Sequence, residues 1–226
     1  GGLTGAVAHE INQPLAAILS NAQAAQRFLA RGNPDMKEIA EILEDITRDD
    51  IRAAEVIRKI RSMLKKEEIQ YESLNLNNVV HEILNVIYKD TVLAEVSIEE
   101  DFDPALAAVW GDRIQLQQVI LNLVLNAAEA EKDKPFELRR VIVRTAEKDG
   151  HFAEVSVRDF GPGIEADNMV RLFEPFYTTK SGGLGMGLAI SQDIVKSHRG
   201  EIRAVNNPYG GATFSFTVPF DREVKP

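Results

Sequence analysis

Residues 6 to 18, AVAHEINQPLAAI, set a lone histidine, His9, beside Glu10 in an alanine-rich stretch of helical periodicity. An imidazole can pack, ligate a metal or carry a reacting group, and its surroundings choose among these roles. On a helical wheel of about 100° per residue, His9 lies opposite the apolar stripe of Val7, Ile11 and Ile18, so it is not a core residue of its own helix. Gln13 follows one turn later on the same exposed side. A zinc-protease helix needs a second histidine where Gln13 stands, and His81, His151 and His198 are single and scattered, which disfavours metal ligation by His9. Taken alone, an exposed helical histidine is most simply an inert surface residue.

Segments further along change that balance. RDFGPGI, residues 158 to 164, ends a strand with Asp159 and then brackets a proline with Gly161 and Gly163. Such a backbone can approach a ligand closely, and the carboxylate can accept from an amino group, although in isolation the segment also reads as a solvated turn. GGLGMGL, residues 182 to 188, leads into a helix, GLAISQDIVKSH, whose first amides could cradle phosphate. No Gly-Lys-Ser/Thr follows, which removes a Walker A loop, and no strand with a paired downstream acid supports a dinucleotide fold. In LNLVLNAAEA, residues 121 to 130, Asn122, Asn126 and Glu129 share one helical face. Amides on an otherwise apolar helix need partners or a ligand.

The elements that must position these groups fall into two sets. Up to about residue 68 the sequence is nearly pure helix former, broken only by RGNPD at 31 to 35, where Gly32 suits a C-terminal cap, Asn33 an N-cap and Pro34 a first helical position. A helical hairpin is expected. One arm carries a stripe of Val7, Ile11, Leu15, Ile18, Ala22, Ala25 and Leu29; the other carries Ile39, Leu43, Ile46, Ala53, Ile57, Ile60 and Leu64. A charged face including Lys37, Glu41, Glu44 and Arg48 lies opposite the second stripe. Two such helices cannot bury their stripes alone, so a four-helix bundle formed by a homodimer is expected. Pro14 should free the carbonyl of Glu10 and bend the first helix, and Asp50 falls within the apolar band of the second.

After a hinge at residues 65 to 73, KKEEIQYES, the pattern turns to mixed helix and strand. Helical periodicity covers 77 to 93 and 112 to 131. VSIEEDF, RVIVRTAEKD, HFAEVSVRD, GEIRAVNN and GATFSFTVPF alternate as strands, the second pairing with the third and the fourth with the fifth across short turns. The expected domains are 1–68, helical, and 74–226, an α/β sandwich with a mixed, largely antiparallel sheet.

Composition sets the outer bounds. The 226 residues are 44% hydrophobic, ample for a sizeable core, and carry a net charge of −9 with no basic footprint for nucleic acid. The absence of cysteine rules out a disulfide framework and a thiol nucleophile. The longest apolar runs fall short of a membrane span, so a cytoplasmic location is expected. The opening GGLTG, with no signal peptide and no initiator methionine, suggests an excised fragment.

Taken in order, the motifs resemble the two-component sensor histidine kinases over essentially the whole chain. HEINQPL looks like the phosphoacceptor box, NLVLNAAEA the N box, RDFGPGI the first glycine box, FEPFYTTK at 173 to 180 the F box and GLGMGL the second glycine box. The HEINQPL form and the short stretch between the F box and the second glycine box are similar to the nitrogen-fixation and dicarboxylate sensor subgroup. The resemblance implies a Bergerat ATP-binding fold, shared with gyrase, mismatch-repair and heat-shock ATPases. It implies that His9 attacks the γ-phosphate of ATP while Glu10 holds the proton of the other ring nitrogen. It further implies that Asp159 accepts from the adenine amino group, with Gly161 and Gly163 keeping the base pocket open. Asn126 would hold Mg²⁺ with Asn122 supporting it, Lys180 would contact phosphate, and Gly183, Gly185 and Gly187 would form the phosphate-facing part of a lid. The implied partner is the receiver domain of a response regulator, read by exposed positions after His9 such as Ala16, Ser20, Gln23 and Arg27, and the resemblance implies an N-terminal sensor domain that is missing from this sequence.

Within the wider superfamily, the hydrolysing members carry a water-activating glutamate one turn before the metal-binding asparagine, and here that place is Asn122. Slow hydrolysis is therefore expected. Gln13 stands where many kinases of the family place a residue that orients water to dephosphorylate the regulator. The alternative to a kinase is a non-transferring ATP-binding and dimerisation module, or a slow ATPase; such a protein would typically have lost His9, Asn126 or Asp159, and all are present.

Overall fold

The structure, a computed structural model, describes residues 2–30, 36–47, 70–87, 96–180 and 185–221, with side chains from residue 15 onward apart from residue 87. The chain divides into two compact units, Gly1–Glu68 and Ile69–Pro226.

The first unit contains α1 (Gly2–Leu29), which runs unbroken through Pro14, and α2 (residues 36–47). The expected break at RGNPD and the position of Asp50 lie outside the described residues. Ala25 on α1 and Ile39 on α2 are buried, and both belong to the expected stripes. Leu15, Leu29 and Leu43, from the same stripes, stay exposed in the single chain. On the charged face Lys37 and Glu41 form an i,i+4 pair at 3.9 Å, an exposed contact that contributes only tenths of a kcal/mol, about 0.3 to 0.5.

The second unit is a helix layer on a five-stranded sheet. Its elements are β1 (Tyr71–Leu74), α3 (Leu76–Ile87), β2 (Ser97–Phe102), β3 (Val109–Asp112), α4 (Arg113–Glu131), a 3-10 turn (Phe136–Leu138), β4 (Arg140–Lys148), β5 (Phe152–Arg158), α5 (Ala166–Met169), α6 (Gly187–Ser197), β6 (Ile202–Asn206) and β7 (Ala212–Pro219). The sheet order is β2-β4-β5-β7-β6; only β2 and β4 pair in parallel. The expected pairings of β4 with β5 and of β6 with β7 form as antiparallel neighbours.

The hinge reading needs correction from Tyr71 onward. Tyr71–Leu74 is a strand, paired antiparallel with Val109–Asp112 in a small second sheet that the sequence reading did not identify. Leu74 and Val109 are fully buried there, and Tyr71 donates its hydroxyl to the carbonyl of Ser197 at 3.0 Å. Glu72 and Ser73 are exposed and give YES its polar appearance, and a single buried leucine gave the strand too little pattern to be seen.

Helix α4 is the central beam. Asp112 caps it, accepting from the backbone N–H of Gln115 at 2.9 Å. Leu116, Val119, Ile120, Leu123, Val124 and Ala127 recur at three and four residue steps and are buried against the sheet. On β5, Ala153, Val155 and Val157 face the same core. Among the described residues, α4 packs on that face; the opposite face carries exposed cross-strand ion pairs such as Arg144–Asp101 at 3.3 Å.

His198 fastens the far end of α6 to the start of α4. It is buried, accepts at Nε2 from the backbone N–H of Asp112 at 2.9 Å, and its Nδ1 meets the carbonyl of Ile194 at 2.8 Å, which fixes the neutral tautomer protonated on Nδ1. Burial holds its pKa below the usual imidazole range, against the opposing pull of the Ile194 carbonyl and Asp112.

Candidate functional site

Strand alternation explains why Asp159 is buried. Ala153, Val155 and Val157 point inward from β5, and one more two-residue step places the carboxylate of Asp159 on the same side, 3% exposed. Its Oδ1 accepts from the backbone N–H groups of Gly161 and Ala212, each at 3.0 Å, and its own N–H donates to the carbonyl of Ala212. Both hydrogen bonds to the carboxylate thus fall on one oxygen. Desolvation raises its pKa, opposed by the Ala212 and Gly161 amides; nearby Glu131 raises it further and Lys134 lowers it.

The glycines around Asp159 are demanded by close approach. A Cβ on Gly161 would lie 2.6 Å from the carbonyl oxygen of Ala130 near the end of α4, so the loop is packed against that helix end. Gly211, at φ +77°, leaves no room for a side chain against the carbonyl of Asp159. Gly163, at φ +81°, sits beside Asn206, whose side-chain oxygen accepts from the N–H of Ile164 at 2.8 Å and whose amide donates to the Ile164 carbonyl at 2.7 Å.

Asn126, one turn before the end of α4, is half-buried, and its Oδ1 accepts from Lys180 Nζ at 2.8 Å. The structure therefore brings together the asparagine of the N box and the lysine of the F box. Asn122 turns the other way: its amide donates to Ser191 Oγ on α6 at 3.0 Å, and a Cβ on Gly187 would lie 2.3 Å from its Oδ1. It fastens α4 to the start of α6. Glycine at 187 is what permits that approach.

The N-terminus of α6 has no side-chain cap, since Met186 supplies no hydrogen bond there. Gly185, at φ +62°, is packed against Phe176 and Tyr177, and its carbonyl accepts from Phe176 N–H at 3.0 Å. The F box and the second glycine box are thereby joined at their bases. Gly183 lies outside the described residues, and the side chains of His9, Glu10 and Gln13 lie outside the described side chains.

Asn126 offers one neutral amide oxygen already turned towards a cationic group. No cluster of three or more acidic or histidine ligands exists among the described residues. That donor set suits Mg²⁺, which keeps several waters and takes its remaining oxygens from substrate phosphates, and does not suit a cation needing a full protein cage. A separate cleft of about 310 Å³, lined by Tyr71, Trp110, Ser197, His198 and Arg199, belongs to the other end of α6, about 16 Å along the helix.

Several groups at this site were not singled out by sequence: Glu131, Lys134, Asn206, Gly211 and Ser191. Glu131 was within reach of a pattern reading, because it continues the buried stripe one turn beyond Ala127. Asn206, Gly211 and Ser191 act across long sequence separations that no local pattern reports, as does Lys134 in its contact with Phe160.

Residues 1–69 match the family model of the His Kinase A (phospho-acceptor) domain, and residues 111–222 match that of the histidine kinase-, DNA gyrase B- and HSP90-like ATPase. Sensor histidine kinase TmoS of Ectopseudomonas mendocina is 38% identical over 214 residues, which is 94% of this chain and 22% of that protein. Sensor protein FixL of Bradyrhizobium diazoefficiens is 34% identical across 97% of this chain and 43% of its own length. The C4-dicarboxylate transport sensor protein DctS of Rhodobacter capsulatus is 33% identical across 100% and 34%. The chain thus spans less than half the length of these curated relatives. Among solved structures, the mycobacterial sensor histidine kinase MprB superposes with a TM-score of 0.58 at 28% identity, covering 66% of this chain and 97% of that one. Histidine kinase ThkA in complex with response regulator protein TrrA gives 0.72 at 26% identity, covering 100% and 63%. A phospho-acceptor domain followed by this ATPase domain, with curated sensor kinases 33–38% identical along nearly the whole chain, places it in the two-component histidine kinase family, as a catalytic core.

Proposed function

We propose that this chain uses ATP to phosphorylate its own His9 and then passes the phosphoryl group to an aspartate in the receiver domain of a response regulator. The observation that carries the reading is the pairing of a half-satisfied buried carboxylate, Asp159, with an amide oxygen, Asn126, that already faces a cationic group. The exocyclic amine of adenine is the complement of the carboxylate oxygen that Gly161 and Ala212 leave unused. Bound Mg²⁺ neutralises phosphate charge, and Asn126 is the residue that would hold it. Lys180 then turns from Asn126 towards the phosphates, and the uncapped first turn of α6, with Gly183, Gly185 and Gly187 leading into it, supplies further N–H donors. Phosphoryl transfer asks for positioning and charge neutralisation, which these groups provide.

At the acceptor, His9 attacks through its outer ring nitrogen while Glu10 holds the proton on the other. Gln13, one turn away, orients water in a separate hydrolysis that releases phosphate from the phosphorylated aspartate of the regulator. Asn122 is engaged with Ser191 and carries no carboxylate, so it does not activate water for hydrolysis. Leu15, Leu29 and Leu43 exposed on the helical unit support a homodimer that covers them. The complex of ThkA with TrrA supports the receiver domain as partner.

Incubation with γ-labelled ATP and Mg²⁺ tests the reading. The expected product is label stable in base, lost in acid and absent from His9→Ala. Label that persists in His9→Ala, or that survives acid, overturns it; nucleotide bound without any transfer favours the non-transferring module.

A further inference from the structure

Phe160, between Asp159 and Gly161, is held at both its N–H and its carbonyl by one ion pair, Glu131–Lys134, whose acid is fully buried. Glu131 is fully buried at the end of α4 and accepts from the N–H of Phe160 at 2.7 Å through Oε1, and from the N–H of Arg140 at 3.2 Å through Oε2. Lys134, three residues further on, pairs with Glu131 at 3.0 Å and donates to the carbonyl of Phe160. The ring of Phe160 carries the guanidinium of Arg140 at 4.2 Å and that of Arg158 at 4.6 Å. A fully buried glutamate is tolerated only when charge and hydrogen bonds compensate it, and Phe160, Arg140 and Lys134, the groups that meet the Glu131 carboxylate, belong to, or grip, the loop that carries Asp159.

We propose that Glu131 and Lys134 are positioning residues for nucleotide selection: they clamp the Phe160 peptide so that the unused oxygen of Asp159 meets the amino group of adenine. This rests on the reading of Asp159 given above. The clamp ties the base-reading loop to the helix that carries Asn126, so the distance between base contact and phosphate contact is set by one rigid element. Selection should therefore weaken when the clamp is cut, even though neither residue touches the nucleotide.

The test compares Mg²⁺-loaded ATP with purine riboside triphosphate, which lacks the exocyclic amine that Asp159 reads. Removing one partner of a buried pair strands the other, so the cut is made in the double variant Glu131→Leu/Lys134→Met, with Glu131→Gln as the conservative variant that keeps an oxygen for Phe160. The double variant is expected to bind ATP about tenfold more weakly, the worth of one hydrogen bond to a charged group, while its affinity for the analogue is unchanged. Glu131→Gln is expected to recover most of the ATP preference. Should the double variant fail to fold, Glu131→Gln and Lys134→Met singly are compared on the same two nucleotides. Equal weakening for both nucleotides marks a purely structural role and overturns the proposal, as does an unchanged ATP preference. Asp159→Asn in the same assay separates the two ideas: if it keeps the ATP preference, the reading of Asp159 fails and the clamp fails with it; if it loses that preference while the clamp variants keep it, the clamp alone is wrong.

Discussion

At the N-terminal end of α4, the polar atoms of Asp112 and His198 are all engaged within the protein. Asp112 accepts from Gln115 N–H with one oxygen and from Gln70 N–H at 2.8 Å with the other, and both ring nitrogens of His198 meet backbone groups. Towards the opposite end the pattern differs. Asp159 places both of its carboxylate hydrogen bonds on one oxygen, and the oxygen of Asn126 is met by an exposed lysine. Both ends are tightly packed and both bury an acid, so burial alone does not distinguish a structural junction from a site. What distinguishes the two acids is that Asp112 has both carboxylate oxygens engaged by the protein and Asp159 only one.

The largest effect expected from that contrast is at Asn126. Asn126→Ala removes the oxygen proposed to hold Mg²⁺, and nucleotide-dependent labelling should fall by about a hundredfold or more, while the chemical unfolding midpoint stays near wild type because the residue is only half-buried. Next is Gly161→Ala. The intruding Cβ meets backbone, not a movable side-chain tip, so a loss of about 2 kcal/mol in denaturant unfolding is expected together with weakened nucleotide binding.

At the structural end the sensitive variable is pH. The folded pKa of His198 is depressed, so the unfolded chain takes up the proton first. The stability it contributes is fully present above the ordinary imidazole value, about 6.5, and is lost as pH falls from there through the folded pKa. Unfolding midpoints measured across that window should fall on acidification in the wild type and vary less in His198→Gln. The smallest effect is expected at Ser191→Ala, which frees the Asn122 amide from α6 and should lower stability by about 1 kcal/mol, with nucleotide affinity following through the position of Gly187.

The two ends also differed in how far they could be read from sequence. Asp159, Asn126, Lys180 and the glycines belong to short motifs, and the alternation of β5 and the stripe of α4 locate them on a strand end and a helix face. The pairings β4–β5 and β6–β7 were legible because each joins neighbours across a short turn. By contrast, the partners of these groups come from afar: Ala212 closes on Asp159, Asn206 on Ile164 and Ser191 on Asn122. The strand at Tyr71–Leu74 was hidden for the same reason, since its partner Val109–Asp112 lies beyond α3 and β2 and it buries only Leu74. His198 looked like one scattered histidine among others; its role depends on Asp112, which the fold brings to it across a sequence separation of 86 residues.

The most direct measurement is the affinity of the 226-residue chain for Mg²⁺-loaded ATP, compared with that of Asp159→Asn, alongside the unfolding midpoint of each. Because burial raises the pKa of Asp159, its ionised form costs stability that is present below the ordinary carboxylate pKa and lost as pH rises through the folded value. At neutral pH the neutral asparagine should therefore leave the fold as stable as wild type or more so, while a donor facing the adenine amine weakens binding by about a hundredfold or more. Unchanged affinity in the variant, or lost affinity explained by lost stability, would contradict the claim that this carboxylate keeps one oxygen for the nucleotide.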